Sequence, residues 1–201
     1  ARWVTLTGPQ YAVLDSRYAE NPARCVRKNA DRVLVYCGGS DPGKLTLVIL
    51  EALDGVRLKI DIHVVLGPLF PNSYIRALKG SRYFTSHKIQ WLEAPECLHE
   101  HMLWCDIAIA TSGLVKYELA ATGTPAILIS IDEEHDRVNQ AFSAHGSVVD
   151  LHLERSPRQI ASDVTSLLED SNRRTEMAQN AQLLVDGLGA SRIIESLAAL
   201  D

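Results

Sequence analysis

At 201 residues the chain has room for one domain, or for one domain with a helical appendage. Its 46% hydrophobic and 22% charged residues are ordinary for a globular protein and supply a packed core. A formal net charge of -5 leaves no electrostatic footprint for nucleic acid, so an anionic ligand would have to be held by local geometry at main-chain N–H groups and helix N-termini.

Residues 1–31 show no clear period, and Gly8-Pro9-Gln10-Tyr11 reads as a linker and docking segment ahead of a Rossmann-like domain at 32–201. A β-branched run at 33–36 predicts a buried strand entering a glycine turn. Helical spacing over 45–53 follows, with Pro42 near its first turn. A second strand is expected at 60–66, a short helix at 71–78 and a weaker strand at 88–92. Then come a helix at 95–104, a strand at 106–110, a helix of small residues at 115–121 and a strand at 125–131. Residues 138–144 read as helix and 147–150 as a last strand. From 156 the pattern is helical, broken near Asp170-Ser171 and at Gly187 and Gly189. Strands alternating with helices imply an α/β fold, a doubly wound parallel sheet with helices on both faces and further helices at the carboxyl end. No run reaches the length of a membrane-spanning helix, and no signal peptide is visible.

Ligands of such sheets bind beyond the carboxyl ends of the strands. Two turns at such ends stand out: Gly38-Gly39-Ser40, followed by Asp41-Pro42, and Thr111-Ser112-Gly113. Each leaves a strand and enters a helix, where unpaired N–H groups and the helix dipole favour an anion. Glycine lets a phosphate approach the main chain closely, and Ser40, Thr111 and Ser112 add hydroxyl donors. Ordinary capped turns would look the same. Neither turn is a Walker A or GxGxxG loop, so no dinucleotide cofactor is indicated. Glu118 sits about one turn into the second helix, where its carboxylate can accept both hydroxyls of a ribose; the alternative is a solvent-facing glutamate paired with Lys116. Asp132-Glu133-Glu134-His135, with Asn139 and Gln140, forms a polar cluster suited to reading sugar hydroxyls or simply to a solvated loop. The spacing around His135 matches no zinc pattern, and no metal is expected. His63 falls within a strand, whereas His99 and His101 are expected on the surface. Cys25, Cys37, Cys97 and Cys105 form no CxxC pair and are expected as reduced, mostly buried thiols of a cytoplasmic protein.

These motifs resemble a known family. The run from Val33 to Pro42, the entering segment Gly8 to Leu14, the stretch Ile107 to Gly113, the helix Tyr117 to Ala126 and the pair Asn139-Gln140 are similar, in order and spacing, to the carboxyl-terminal domain of UDP-sugar hydrolases of the PseG type, relatives of the MurG-like glycosyltransferases. The resemblance implies one half of a GT-B architecture. It implies diphosphate contacts at Gly38, Gly39, Ser40, Thr111, Ser112 and Gly113, a ribose contact at Glu118 and sugar-side contacts at Asn139 and Gln140. The family often carries Gly-Gly where this chain has Thr111-Ser112-Gly113. Its catalytic histidine belongs to an amino-terminal domain with no counterpart here, so the catalytic residues are expected outside this chain and the partners are UDP or a UDP-sugar and that missing domain. The chain opens at Ala1, not Met, and reads as a piece of a longer protein. The alternatives are the donor half of a glycosyltransferase for surface polysaccharide and a non-catalytic nucleotide-sugar-binding module.

Overall fold

The computed structural model describes residues 3–19, 21–81, 87–152 and 156–199. Six strands form one sheet: β1 (Arg32–Tyr36), β2 (Asp61–Leu66), β3 (Lys88–Glu93), β4 (Ile107–Thr111), β5 (Ala126–Ile129) and β6 (Val148–Leu151). Their order is β3-β2-β1-β4-β5-β6, and every neighbouring pair is parallel. Eight α-helices accompany them among the described residues: α1 (Leu45–Asp54), α2 (Asn72–Lys79), α3 (His99–Trp104), α4 (Val115–Ala121), α5 (Glu133–Ala144), α6 (Pro157–Glu169), α7 (Ser171–Leu184) and α8 (Gly189–Ala198). The expected Rossmann-like architecture is what the sequence forms.

Within each strand the alternation of side chains splits the core in two. Val33, Val35, Ile62, Val64, Ile107 and Ile109 face one layer, where they meet Ile49 and Leu53 of α1 and Ile160 and Val164 of α6. Leu34, Ala108, Ala110, Ala126 and Leu128 face the other, against Leu119 and Ala120 of α4 and Phe142 of α5. The alanines on this second face let α4 lie close to the sheet. β3 is an edge strand, which explains its weaker apolar pattern.

Two helices begin elsewhere than their periodicity suggests. The helix expected from residue 95 starts at His99, because the chain turns sharply at Ala94 (φ 41) and residues 95–98 run on as an irregular segment. The residue before a proline is disfavoured in the helical region, which prevents helix from growing back past Pro95. The helix expected from 138 starts earlier, at Glu133. Asp132 caps it by accepting from the His135 N–H at 2.8 Å, and Glu133, Glu134 and Asp136 fill its first turn. The acidic run that suggested a loop is therefore a helix start, where negative charge opposes the positive end of the dipole.

Residues 9–11 and 16–18 form short 3-10 turns, and no strand precedes β1 among the described residues. Arg174 of α7, with no exposed surface, ties this segment to the carboxyl-terminal helices. Its Nη1 donates to the Leu167 and Leu168 carbonyls at the end of α6, and its Nη2 donates to the Arg27 carbonyl at 2.7 Å. The thiols are all free, but only Cys37 and Cys105 are buried; Cys97 is half-buried and Cys25 exposed, so the expectation of mostly buried thiols holds for two of them. His99 and His101, expected on the surface, are half-buried: His99 Nε2 contacts Asn21 Oδ1 at 2.7 Å, and His101 lies edge-on to His63, which stacks on Trp104. Replacing Arg174 with Met should lower the unfolding free energy by about 1–3 kcal/mol, the cost of leaving buried acceptors unsatisfied. Urea denaturation measures this, and Arg174→Lys should recover only part of it, since one ammonium cannot span both sets of carbonyls.

Candidate functional site

The strand order reverses between β1 and β4, and a cavity of about 400 Å³ opens beyond their carboxyl ends. Gly38 after β1, Thr111 at the end of β4, Gly113 in the turn that follows, and Glu118 of α4 all line it. The two turns touch: a Cβ built on Gly38 (φ +78) would lie 3.8 Å from Thr111 Oγ1. Gly39, Ser40, Ser112, Asn139 and Gln140 do not line this cavity.

The two helix starts differ. Asp41, itself in the left-handed region (φ 44), is buried, and its carboxylate accepts from the Leu45 N–H at 2.7 Å, the Thr46 N–H at 2.9 Å and the Tyr74 hydroxyl at 2.9 Å. The N-terminus of α1 is therefore filled by a side chain of the chain itself. The start of α1 thus carries a carboxylate of the chain where the sequence suggested open N–H groups. At the second turn no described residue accepts from the N–H groups of Leu114 and Val115, which lie at the cavity wall. The Gly38 N–H is likewise unpaired among the described residues.

The second turn is braced from behind. The Ser112 hydroxyl is buried and donates to Asn139 Oδ1, while Asn139 Nδ2 donates to Ser130 Oγ at 3.0 Å. Asn139 is thus fully buried, with its amide engaged inside the fold. Gln140 is exposed and donates to Asp136 Oδ2 at 2.9 Å. Lys116, proposed above as a surface partner of Glu118, is buried instead; its ammonium donates to the Ser112 carbonyl at 3.3 Å, and burial lowers its pKa.

Glu118 is partly buried at the cavity wall. Loss of hydration raises its pKa above the usual glutamate value, and the neighbouring Tyr18 hydroxyl opposes that rise. The Tyr18 hydroxyl is in turn pushed up by burial and by the Glu118 charge. Tyr36, beside them, is raised by burial and by the same carboxylate. Tyr18 belongs to the amino-terminal segment, as do Asp15 and Arg17, which also line the cavity. Arg17 is the cavity's basic residue; its Nε lies 2.8 Å from Asp15 Oδ1. Pro95, Glu96, Cys97 and Leu98 close another side. None of these was legible as a site residue, because the first 31 residues carry no period and 95–98 read as helix.

No family model matches the chain. It is 26% identical over 191 residues to the spore coat polysaccharide biosynthesis protein SpsG of Bacillus subtilis, an alignment covering 92% of this chain and 56% of that protein. Among solved structures it is similar to MurG of Acinetobacter baumannii, with a TM-score of 0.72 and 17% identity over 99% of this chain and 57% of the other. It is also similar to HepE of Anabaena, solved in complex with UDP and glucose, with a TM-score of 0.67 and 16% identity over 85% of this chain and 49% of the other. The chain therefore has the fold of one Rossmann-like half of a GT-B glycosyltransferase and spans about half the length of these relatives. No helix among the described residues is long and apolar enough to cross a membrane.

The carboxyl group of Glu118 should titrate above the ordinary glutamate range, and Tyr18→Phe, which removes the opposing hydroxyl, should raise it further. Carboxyl-carbon NMR titration reads both shifts.

Proposed function

We propose that this chain is the UDP-sugar-binding half of a GT-B enzyme, and that the ligand occupies the cavity between the β1 and β4 turns. The observation that carries this reading is that Gly38 and Gly113, from strands on either side of the switch point, share one cavity with Glu118. The N–H groups of Gly38, Leu114 and Val115 supply donors for the diphosphate at a point where glycine keeps side chains out of the way. Thr111 adds a hydroxyl, and Arg17 a positive charge at the rim. Glu118 accepts the two ribose hydroxyls, and Leu98 and Leu114 offer apolar surface to the base. The similarity of fold to HepE, solved in complex with UDP and glucose, supports this assignment. Among the sequence-derived diphosphate residues, Gly38, Thr111 and Gly113 have a direct place in it. Gly39 and Ser40 contribute through the shape of the first turn, and Ser112 and Asn139 act from behind the second.

The finer reading is a hydrolase of the PseG type. Water attacks the anomeric carbon, the sugar–oxygen bond to the diphosphate breaks, and UDP departs with its growing charge held by turn N–H groups. The general base then comes from the remaining half of the full-length protein. A second reading, transfer of the sugar to an acceptor hydroxyl, draws on the similarity to SpsG, named for polysaccharide biosynthesis. With the full-length protein, free sugar released in the absence of any acceptor identifies hydrolysis; turnover only when acceptor is added identifies transfer.

Calorimetric titration of this chain with UDP-N-acetylglucosamine tests the binding reading. Glu118→Gln should weaken binding by about 1–3 kcal/mol through loss of charged hydrogen bonds. Unchanged affinity would remove Glu118 from the site. The same variant should be as stable as the original at neutral pH or more so. A carboxyl whose folded pKa is raised contributes stability in its protonated form, and that contribution is lost as pH rises through the folded value. Nucleotide-sugar affinity should run the other way, falling as pH drops through the raised Glu118 pKa, and should be flat in Glu118→Gln.

A Cβ at Gly113 meets no atom within 4 Å, so Gly113→Val should keep its melting temperature and lose ligand binding by filling the cavity. Retained affinity in that variant would place the ligand elsewhere.

A further inference from the structure

Away from the cavity, the carboxyl ends of β5 and β6 bring together three side chains of ligating type. Asp136 of α5, Asp150 of β6 and His152 just beyond β6 each offer one atom, and these atoms lie within 4.8 Å of one another. His152 Nδ1 is 2.8 Å from Asp136 Oδ1 and 3.5 Å from Asp150 Oδ2. The other Asp136 oxygen accepts from Gln140 Nε2, which fixes the carboxylate with its first oxygen toward the imidazole. The independent observation is Asp150 itself. Its side chain is only 3% exposed, and neither of its oxygens makes a hydrogen bond of good geometry among the described residues, although the Asn139 amide, the Ser130 hydroxyl and the His152 imidazole lie near enough to act on its charge. Carboxylates hidden from water in this way are costly unless a cation balances them.

We propose that Asp136, Asp150 and His152 bind a divalent first-row cation of the Mn2+ or Zn2+ class. Two carboxylates neutralise its charge, and one imidazole tilts the site away from Ca2+ and Mg2+, which prefer an all-oxygen shell. Gln140 orients Asp136 from the outer shell, as the partners of ligating carboxylates commonly do. The His152 side chain is 59% exposed, so the remaining coordination positions face solvent and can take water or an oxygen of a bound molecule. The sequence spacing conceals this site, since the ligands come from a helix and from a strand end that meet only in the fold. The proposal stands independently of the nucleotide reading.

The competing occupant of this cluster is a proton, with His152 as an imidazolium bridging the two carboxylates. Titration of the metal-free full chain with MnCl2 and with ZnCl2, followed by calorimetry and by the electron paramagnetic signal of free Mn2+, separates the two. Saturable binding of one ion per chain is expected, weakened at least tenfold in Asp150→Asn and in His152→Ala. It should be unchanged in Glu134→Gln, an exposed acid on the same helix. Saturating metal should raise the melting temperature of the original chain and leave that of Asp150→Asn unmoved. Asp150→Asn keeps the side chain's shape and removes its buried charge, so it carries the test should His152→Ala fail to fold. Absence of saturable binding, or equal affinity in Asp150→Asn, overturns the proposal and leaves the imidazolium bridge.

Discussion

The pairing of β1 with β4 is the constraint on which the rest of the molecule depends. Val33 to Tyr36 lie in register with Ile107 to Ala110, although 74 residues separate Val33 from Ile107, and β2 and β3 have already been laid on the far side of β1. From that junction the chain leaves in opposite directions. The loop after β1 passes under β2, with Gly67 so close that a Cβ there would overlap the Gly38 and Gly39 carbonyls. The turn after β4 bends toward α4 and β5. Two loops that diverge from adjacent strand ends leave an empty wedge between them. The cavity follows from that topology, and the residues at the two turns decide what it can hold.

The two turns are furnished in opposite ways. At the first, Asp41 accepts from two N–H groups at the start of α1 and also holds Tyr74, so this helix end is occupied by a carboxylate of the chain itself. At the second, the start of α4 stays open, and the bracing comes from behind: Ser112 on Asn139, Asn139 on Ser130, and the Lys116 ammonium on the Ser112 carbonyl. The buried polar side chains of this region meet one another and the main chain, as buried polar groups must. The N–H groups of Leu114 and Val115, two residues that line the cavity, find no acceptor among the described residues. A braced rear with open N–H groups at its front suits the anion site proposed for this cavity.

The strands and most of the helices were legible because apolar runs of strand length, separated by glycine turns, have few competing explanations. The meeting of Gly38, Thr111, Gly113 and Glu118 at one cavity was legible for the same reason: they sit at fixed offsets from those runs. Asn139 was read as a sugar-side amide because sequence shows an amide's capacity but not its direction, and here the amide is engaged with Ser112 and Ser130 inside the fold. Asp41 looked like part of a phosphate turn, since a carboxylate that caps a helix and a loop that awaits an anion use the same glycine, serine and aspartate vocabulary. The acidic residues before Asn139 were read as a sugar-reading polar cluster or a solvated loop, although three acids following Asp132 are equally the mark of a helix start. Arg17 and Tyr18 had no periodic neighbours to point to them.

Those last two residues show how the chain's ends take part in the site. Tyr18 is buried among Met102, Leu119 and other residues of the second core layer, with its hydroxyl donating to Met102 Sδ at 4.0 Å and lying near enough to Glu118 to act on its carboxylate. Its position depends on the link between α7 and α8. Gly187 (φ +79) presses so closely on the Tyr18 carbonyl that no side chain fits between them, and Gly189 does the same against Tyr11 and Ala12. Arg24 adds a bond from its main-chain N–H to Gln182 of α7 at 3.1 Å and one from its guanidinium to the Met102 carbonyl at 2.8 Å. The segment that reads as a linker is therefore clamped by the carboxyl-terminal helices, and it reaches the cavity wall only because of that clamp. A lesion in the α7–α8 link should then be felt at Glu118 through Tyr18, at a distance along the chain that no local motif would suggest.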